Sequence, residues 1–216
     1  MERAGRVLSS RRCEGFANFG QTFALKLELE GRTLDQNTAG SDIERVIATQ
    51  EQIVARLNEL AREIEKDYSG KDLLIIGVLK GAVMTLSDFA LKLNRHIEID
   101  WMAVSSYGSG TKSSGVVRIL KDLDRDITNR DVLIVEDIVD TGLTLAWLKS
   151  NLESRGAKSV EILTLLRKPE AAKVQVDVKY VGFDIPTDFV VGYGLDFNEK
   201  YRNLDFIGVL AKHMYS

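Results

Sequence analysis

Residues 132–145 read VLIVEDIVDTGLTL, and within this stretch Glu136, Asp137, Asp140, Thr141, Gly142 and Thr144 stand in an order that suits chemistry better than packing. An apolar run built for burial ends in two adjacent acids. Buried charge is costly unless it is paired, hydrogen-bonded or bound to a metal, so the cluster belongs at a surface that uses it. The D-T-G-L-T segment then reads as a loop that opens a helix. Its glycine permits close backbone approach, and a helix start offers free amide groups at the positive end of the helix dipole, which suits a phosphate monoester. Thr141, Gly142 and Thr144 are the natural donors. The loop lacks the lysine and full glycine pattern of a P-loop and has no G-x-G-x-x-G, so a single phosphate is expected here. Just ahead, Glu136 and Asp137 can accept hydrogen bonds from a diol or hold Mg²⁺ through water, because hard cations prefer oxygen ligands. A phosphate beside a diol describes ribose 5-phosphate.

These residues need a frame to hold them. VLIVED (132–137) reads as a buried strand, IVDTG (138–142) as a loop, and a helix runs from Leu143 to about Arg155, where Gly156 closes it. Upstream, Thr49 with Gln52 three residues later forms a capping box, and Ile53, Leu57, Leu60 and Ile64 follow at helical spacing, which predicts a helix over 50–67. LLIIGVLKG (73–81) is apolar without alternation, as in a strand covered on both faces, and 82–93 continues as a helix. Further strands are expected at 97–107, 116–120, 159–168, 178–185 and 189–197, with a loop of small polar residues at 108–115. Strands alternating with helices predict an α/β fold with a central, mostly parallel twisted sheet flanked by helices, whose ligands gather at the carboxyl ends of the strands. The acidic strand end, the LKG turn at 79–81 and RKP at 167–169 all fall there.

Taken together, the VLIVEDIVDTGLTL stretch and the motifs around it closely resemble the phosphoribosyl pyrophosphate motif and companion segments of purine phosphoribosyltransferases of the hypoxanthine-guanine type, over roughly residues 42–213. The resemblance implies a type I phosphoribosyltransferase fold with a small purine-binding hood, Mg²⁺ as cofactor, and purine salvage as the activity. It also implies roles for single residues. Glu136 and Asp137 contact the ribose hydroxyls and serve as metal ligands, and Asp140 acts near purine N7. Thr141, Gly142 and Thr144, with the backbone of Leu143, bind the 5′-phosphate. Leu143 stands where some relatives carry lysine, so it contributes only its N–H. The Lys80–Gly81 loop, which the family often builds with a cis peptide, binds pyrophosphate. Ser106 and Tyr107 belong to a mobile loop that closes over the reaction centre. Lys168 recognises the purine 6-oxo group. Phe189 stacks on the base opposite Ile138, and the Val190 backbone reads the ring edge. Asp196 is a second metal ligand, and Arg202 reaches pyrophosphate.

Composition narrows the function classes. A net charge of −3, from 29 basic and 32 acidic side chains, supplies no field for holding DNA or RNA. No apolar run is long enough to span a membrane. One cysteine, Cys13, excludes an internal disulfide framework and fits a reducing, cytoplasmic setting. Residues 1–40 read as an N-terminal extension, disordered or carrying an edge strand at 23–31, ahead of one phosphoribosyltransferase domain over 41–216. Glu2 and Glu14 argue against an organellar transit peptide. The expected partners are phosphoribosyl pyrophosphate and a 6-oxopurine, with assembly as a homodimer or homotetramer. Two alternatives remain open from sequence: a xanthine-preferring transferase, and a non-catalytic regulatory protein of the same fold.

Overall fold

The structure, a computed structural model, describes residues 40–106 and 117–215. Twelve elements carry the site: β1 (Ile43–Ala48), α1 (Gln50–Asp67), β2 (Leu73–Leu79), α2 (Ala82–Ala90), β3 (Glu98–Ser106), β4 (Val117–Lys121), β5 (Asp131–Val139), α3 (Leu143–Ser154), β6 (Ser159–Arg167), β7 (Tyr180–Asp184), β8 (Val190–Val191) and β9 (Ile207–Leu210). Six strands form one sheet in the order β4-β3-β2-β5-β6-β7, and β1-β9-β8 form a second. In the large sheet all neighbours are parallel except β3 and β4. The small sheet is antiparallel.

Helix α1 starts as its sequence predicts. The Thr49 side chain accepts from the Gln52 amide, and the Gln52 side chain accepts from the Thr49 amide. Ile53, Leu57, Leu60 and Ile64 then bury one face. Each such side chain contributes roughly 1.5–3 kcal/mol through burial. The continuous apolar strands serve two faces at once. Leu73, Ile75, Leu133 and Val135 pack with α1 and with Leu86 and Phe89 of α2. Their neighbours Leu74, Ile76, Val132 and Ile134 pack with Leu145, Leu148 and Leu152 of α3. Helices therefore cover both sides of the large sheet, which explains why its central strands show no alternation.

Several boundaries differ from expectation. Ile138 and Val139, read as loop, extend β5 by pairing with Leu166 and Arg167 of β6. The helix expected over 82–93 ends at Ala90. The strand expected over 189–197 shrinks to Val190–Val191, because Gly192 (φ 99°), Tyr193 (φ 50°) and Gly194 (φ 100°) turn the chain into the left-handed region. Strands β1 and β9 were not anticipated. The expected strand at 23–31, the loop at 108–115 and Tyr107 lie outside the described residues. Among the described residues no helix is long and apolar enough to cross a membrane.

Candidate active site

Parallel pairing of Leu73–Gly77 with Asp131–Val135 brings the ends of β2 and β5 to the same edge of the sheet. The Lys80–Gly81 turn and the Glu136–Asp137 pair therefore emerge side by side. The contact is close enough to demand glycine: a Cβ on Gly81 would stand 1.5 Å from Oδ2 of Asp137. From the small-sheet side, a Cβ on Gly194 would stand 2.0 Å from the Gly81 carbonyl oxygen. Three segments thus converge on one glycine. The Leu79–Lys80 peptide is cis, in line with the resemblance.

Beyond this junction lies a cleft of about 280 Å³ lined by Gly81, Glu136, Asp137, Ile138, Asp140, Thr141, Gly142 and Thr144, with Val78, Leu79 and Val104 as wall. Its floor is the start of α3. Gly142 precedes the helix at φ 78° and no side chain caps the first turn, so those amide groups have no side-chain cap from the protein. The loop is fixed from outside: the Thr141 carbonyl accepts from Lys173 and Val174 at 3.0 and 3.2 Å. A Cβ on Gly142 would meet the Val174 carbonyl at 2.7 Å. A rigid, uncapped helix start is what a phosphate monoester requires.

The acid pair is held in an unusual state. Burial pushes the Asp137 carboxyl up to about 6, against the Ile138 and Asp137 amides and the Arg202 charge that favour its ionised form. The Ile138 amide donates to Asp137 Oδ1 at 2.7 Å. Glu136 is raised well above the usual carboxylate range, first by burial and then by the adjacent Asp137. Its Oε2 is buried and has no hydrogen-bond partner. Among the described residues no group of three or more His, Cys, Asp or Glu side chains is placed to hold a metal ion. The residues fit Mg²⁺ in another way. This ion commonly keeps water and substrate oxygens and takes only one or two carboxylates from protein, and an orphaned oxygen on Glu136 beside Asp137 offers that. Asp196, the other expected ligand, is engaged by Arg202 at 2.7 Å and by the Glu199 amide at 2.9 Å.

Asp140 projects at the mouth of the cleft with its side chain 55% exposed, and Lys168 Nζ lies 4.0 Å from its Oδ2. Lys168 itself is buried, and its amide donates to the Val139 carbonyl, which ties the end of β6 to the end of β5. The two residues also share a neighbouring cavity of about 660 Å³ with Arg167, Val174 and Val178. Phe189 and Val190 line neither cavity. Phe189 is 39% exposed and packs against Phe197 and Tyr215, with ring centroids 5.7 and 5.3 Å away, while Val190 is buried in the small sheet. Ser106 ends β3. Lys80 and Arg202 meet through a residue that sequence reasoning missed: Glu199 lies 3.1 Å from Lys80 Nζ and 3.4 Å from Arg202. The signal for it was the Asn198–Glu199 pair between Phe197 and Lys200, a two-residue turn in which glycine would be usual at the second place.

Comparison with known proteins agrees with this geometry. Residues 46–198 match the phosphoribosyl transferase domain family. The chain is 58% identical over 180 residues to the hypoxanthine-guanine phosphoribosyltransferase of Mycobacterium tuberculosis, covering 81% of this chain and 89% of that protein. It is 49% identical over 175 residues to the enzyme of the same name from Streptococcus thermophilus, covering 81% and 97%. Among solved structures, a hypoxanthine phosphoribosyltransferase from Staphylococcus aureus superimposes with a TM-score of 0.81 at 47% identity, covering 87% of this chain and all of that one. With its parallel sheet, its uncapped helix start below an acid pair and these relatives, the chain belongs to the phosphoribosyltransferase family, within its hypoxanthine-guanine branch.

Proposed function

We propose that this protein transfers the 5-phosphoribosyl group of phosphoribosyl pyrophosphate to N9 of hypoxanthine or guanine, giving IMP or GMP and pyrophosphate in purine salvage. The observation that carries this reading is the continuity of one short segment: Glu136 and Asp137, Asp140, and the start of α3 line a single cleft in chain order. That order matches ribose hydroxyls, base and 5′-phosphate. Thr141, Gly142, Leu143 and Thr144 bind the 5′-phosphate through hydroxyl and amide donors. Glu136 and Asp137 accept from the ribose diol. Lys80, Gly81 and Arg202 hold the pyrophosphate as the anomeric C–O bond breaks and its electron pair leaves with it. Positive charge then grows on the ribose ring, and the nearby carboxylates stabilise it. Asp140 takes the proton from purine N7 as N9 attacks, a general-base role. Lys168 donates to the 6-oxo group, which adenine lacks. Ile138 and Phe189 sandwich the base, Val190 reads its edge, and Ser106 with Tyr107 cover the centre. Glu136 and Asp137 would hold Mg²⁺ together with substrate oxygens, Asp196 would serve a second such ion, and the metal would supply charge neutralisation.

The test is direct. Purified protein with phosphoribosyl pyrophosphate, Mg²⁺ and each of hypoxanthine, guanine, xanthine and adenine should form nucleotide with the first two. Turnover of adenine alone overturns the base assignment, faster turnover of xanthine moves it to the xanthine-preferring reading, and no turnover with any base supports a non-catalytic protein. The same proposal places the enzyme in the cytoplasm as a homodimer or homotetramer, which light scattering on the purified chain reads out.

A further inference from the structure

Residues 197–200 form a tight hairpin. Phe197 and Lys200 exchange backbone hydrogen bonds at 3.2 and 3.0 Å, and the two residues between them, Asn198 (φ 53°) and Glu199 (φ 61°), both occupy the left-handed region. A two-residue turn of this kind favours Asn followed by Gly, since the second place suits a residue without a Cβ. Glu199 therefore sits where the backbone disfavours it. A side chain kept against local preference points to a use for that side chain.

What the side chain touches identifies the use. One oxygen, Oε2, lies 3.1 Å from Lys80 Nζ, and the other, Oε1, lies 3.4 Å from the Arg202 guanidinium. Among the described residues Glu199 is the only acid paired with Lys80. One carboxylate thus reaches two cations carried by separate segments, Lys80 closely and Arg202 at longer range, while Asp196 and the Gly194 carbonyl anchor Arg202 at 2.7 Å each. Both ends of the Lys80 pair are about two-thirds exposed. Pairs in such a setting contribute little to stability, so a more highly charged anion can displace the carboxylate.

We infer that Glu199 is a positioning residue that acts as a built-in stand-in for pyrophosphate, holding Lys80 and Arg202 in the ligand-free enzyme and competing with the diphosphate for them. This rests on the reading under Proposed function in which those two residues bind pyrophosphate. The carboxylate keeps Lys80 beside the Arg202 that Asp196 anchors before substrate arrives, yields to the diphosphate on binding, and takes Lys80 back as pyrophosphate departs. It lowers affinity for the leaving group as the cost of keeping the cations ordered.

The sign of one measurement separates this role from a simple structural one. Binding of Mg²⁺–pyrophosphate to the full-length protein is titrated by calorimetry for wild type, Glu199→Gln, Glu199→Asp and Glu199→Gly, alongside KM for phosphoribosyl pyrophosphate and for hypoxanthine. Removing the charge should tighten pyrophosphate binding about three- to tenfold and lower KM for phosphoribosyl pyrophosphate in parallel, with KM for hypoxanthine unchanged. Glu199→Gly, which also relieves the turn, should bind at least as tightly as Glu199→Gln, and Glu199→Asp should stay near wild type. In a Lys80→Met background the gain from Glu199→Gln should shrink. Equal or weaker pyrophosphate binding in both Glu199→Gln and Glu199→Gly overturns the inference and leaves Glu199 a structural brace. If the wild type binds no pyrophosphate, the assignment of Lys80 and Arg202 falls first and the inference falls with it.

Discussion

Asp140 and Asp137 lie three positions apart and do opposite things. Asp140 is exposed at the cleft mouth with Lys168 as its nearest cation, whereas Asp137 is pressed under Gly81 and raised to about 6 by burial. The exposed acid can be reached by a base, and the buried one resists charging until a cation or diol arrives. Asp140→Asn should lower kcat by about two to three orders of magnitude, the scale of a lost general base, while the Kd for phosphoribosyl pyrophosphate changes little. Presteady-state kinetics with calorimetry on the same variant checks this, and a matching loss in both quantities contradicts it. For Asp137 the sign follows from a folded pKa raised above the unfolded value of about 3.9. The fold favours the protonated form, so this contribution is fully present below pH 4 and is lost as pH rises through about 6. The loss is on the order of 3 kcal/mol, shared in part with Glu136. Other carboxylates, such as Asp67 and Asp184, are lowered and pull the opposite way, so the useful quantity is a difference. The melting temperature of Asp137→Asn minus wild type, without ligand, should rise from pH 4.5 to 7, and a flat difference would show that Asp137 does not titrate there. Affinity for Mg²⁺–phosphoribosyl pyrophosphate should fall over the same interval as pH drops.

Elements defined by their own sequence were legible, and those defined by distant partners were not. Thr49 and Gln52 announce α1 because both halves of the capping box lie within one turn, and the 53-57-60-64 spacing needs only helix geometry. Thr49→Ala should therefore cost about 1 kcal/mol, seen as a lower melting temperature with kcat and KM intact, since α1 supplies no cleft residue. By contrast, β1 and β9 have six and four residues and pair only across about 160 positions of chain, with two register shifts on the way. No local pattern carries that pairing. The segment 189–197 failed for the reverse reason. Its apolar residues imitate a strand, but Gly192 and Gly194 turn because their Cα positions abut the Phe206 and Gly81 carbonyls. The 140–144 loop is an intermediate case: its residue types were readable, while the bracing by Lys173 and Val174 was not. That bracing makes Gly142 sensitive. Gly142→Ala adds a Cβ 2.7 Å from the Val174 carbonyl at a φ of 78°, and should destabilise the protein by about 1–3 kcal/mol. KM for phosphoribosyl pyrophosphate should rise at least as markedly as the melting temperature falls. A variant with lowered stability but unchanged KM would separate the loop from phosphate binding.

The whole domain is two sheets, with the cleft of Glu136 to Thr144 at the edge of the larger one. The large sheet delivers the cleft at the carboxyl ends of β2 and β5, and the connection between β8 and β9 carries Asp196, Glu199 and Arg202. Ala48, Val190, Ile207 and Val209 of the small sheet share one apolar core with Ile75, Leu133 and Leu86, and a few polar contacts add to it. Arg45 of β1 pairs with Asp188 just before β8, Tyr201 donates to Asp42 at 2.8 Å, and Tyr193 donates to Asp88 of α2. The tightest approach is backbone on backbone, Gly194 against the Gly81 carbonyl, and it lies directly beside Asp137. Position 194 therefore sets the spacing between the Lys80–Gly81 turn and the segment that carries Arg202, whose guanidinium also donates to the Gly194 carbonyl at 2.7 Å. A Cβ there cannot be absorbed by a rotamer change, because it would meet a carbonyl oxygen at 2.0 Å and the backbone holds φ at 100°. The two turns must move apart. Gly194→Ala should retain the helices, which belong to the large sheet and its two apolar layers, so the far-ultraviolet circular dichroism stays native. Stability should fall by about 1–3 kcal/mol. KM for phosphoribosyl pyrophosphate should rise tenfold or more, since Lys80, Gly81 and Arg202 lose their common spacing, and the loss should exceed that of Gly142→Ala in pyrophosphate binding while sparing binding of ribose 5-phosphate alone. Equal damage to ribose 5-phosphate binding would mean that the junction supports the whole cleft rather than its pyrophosphate end.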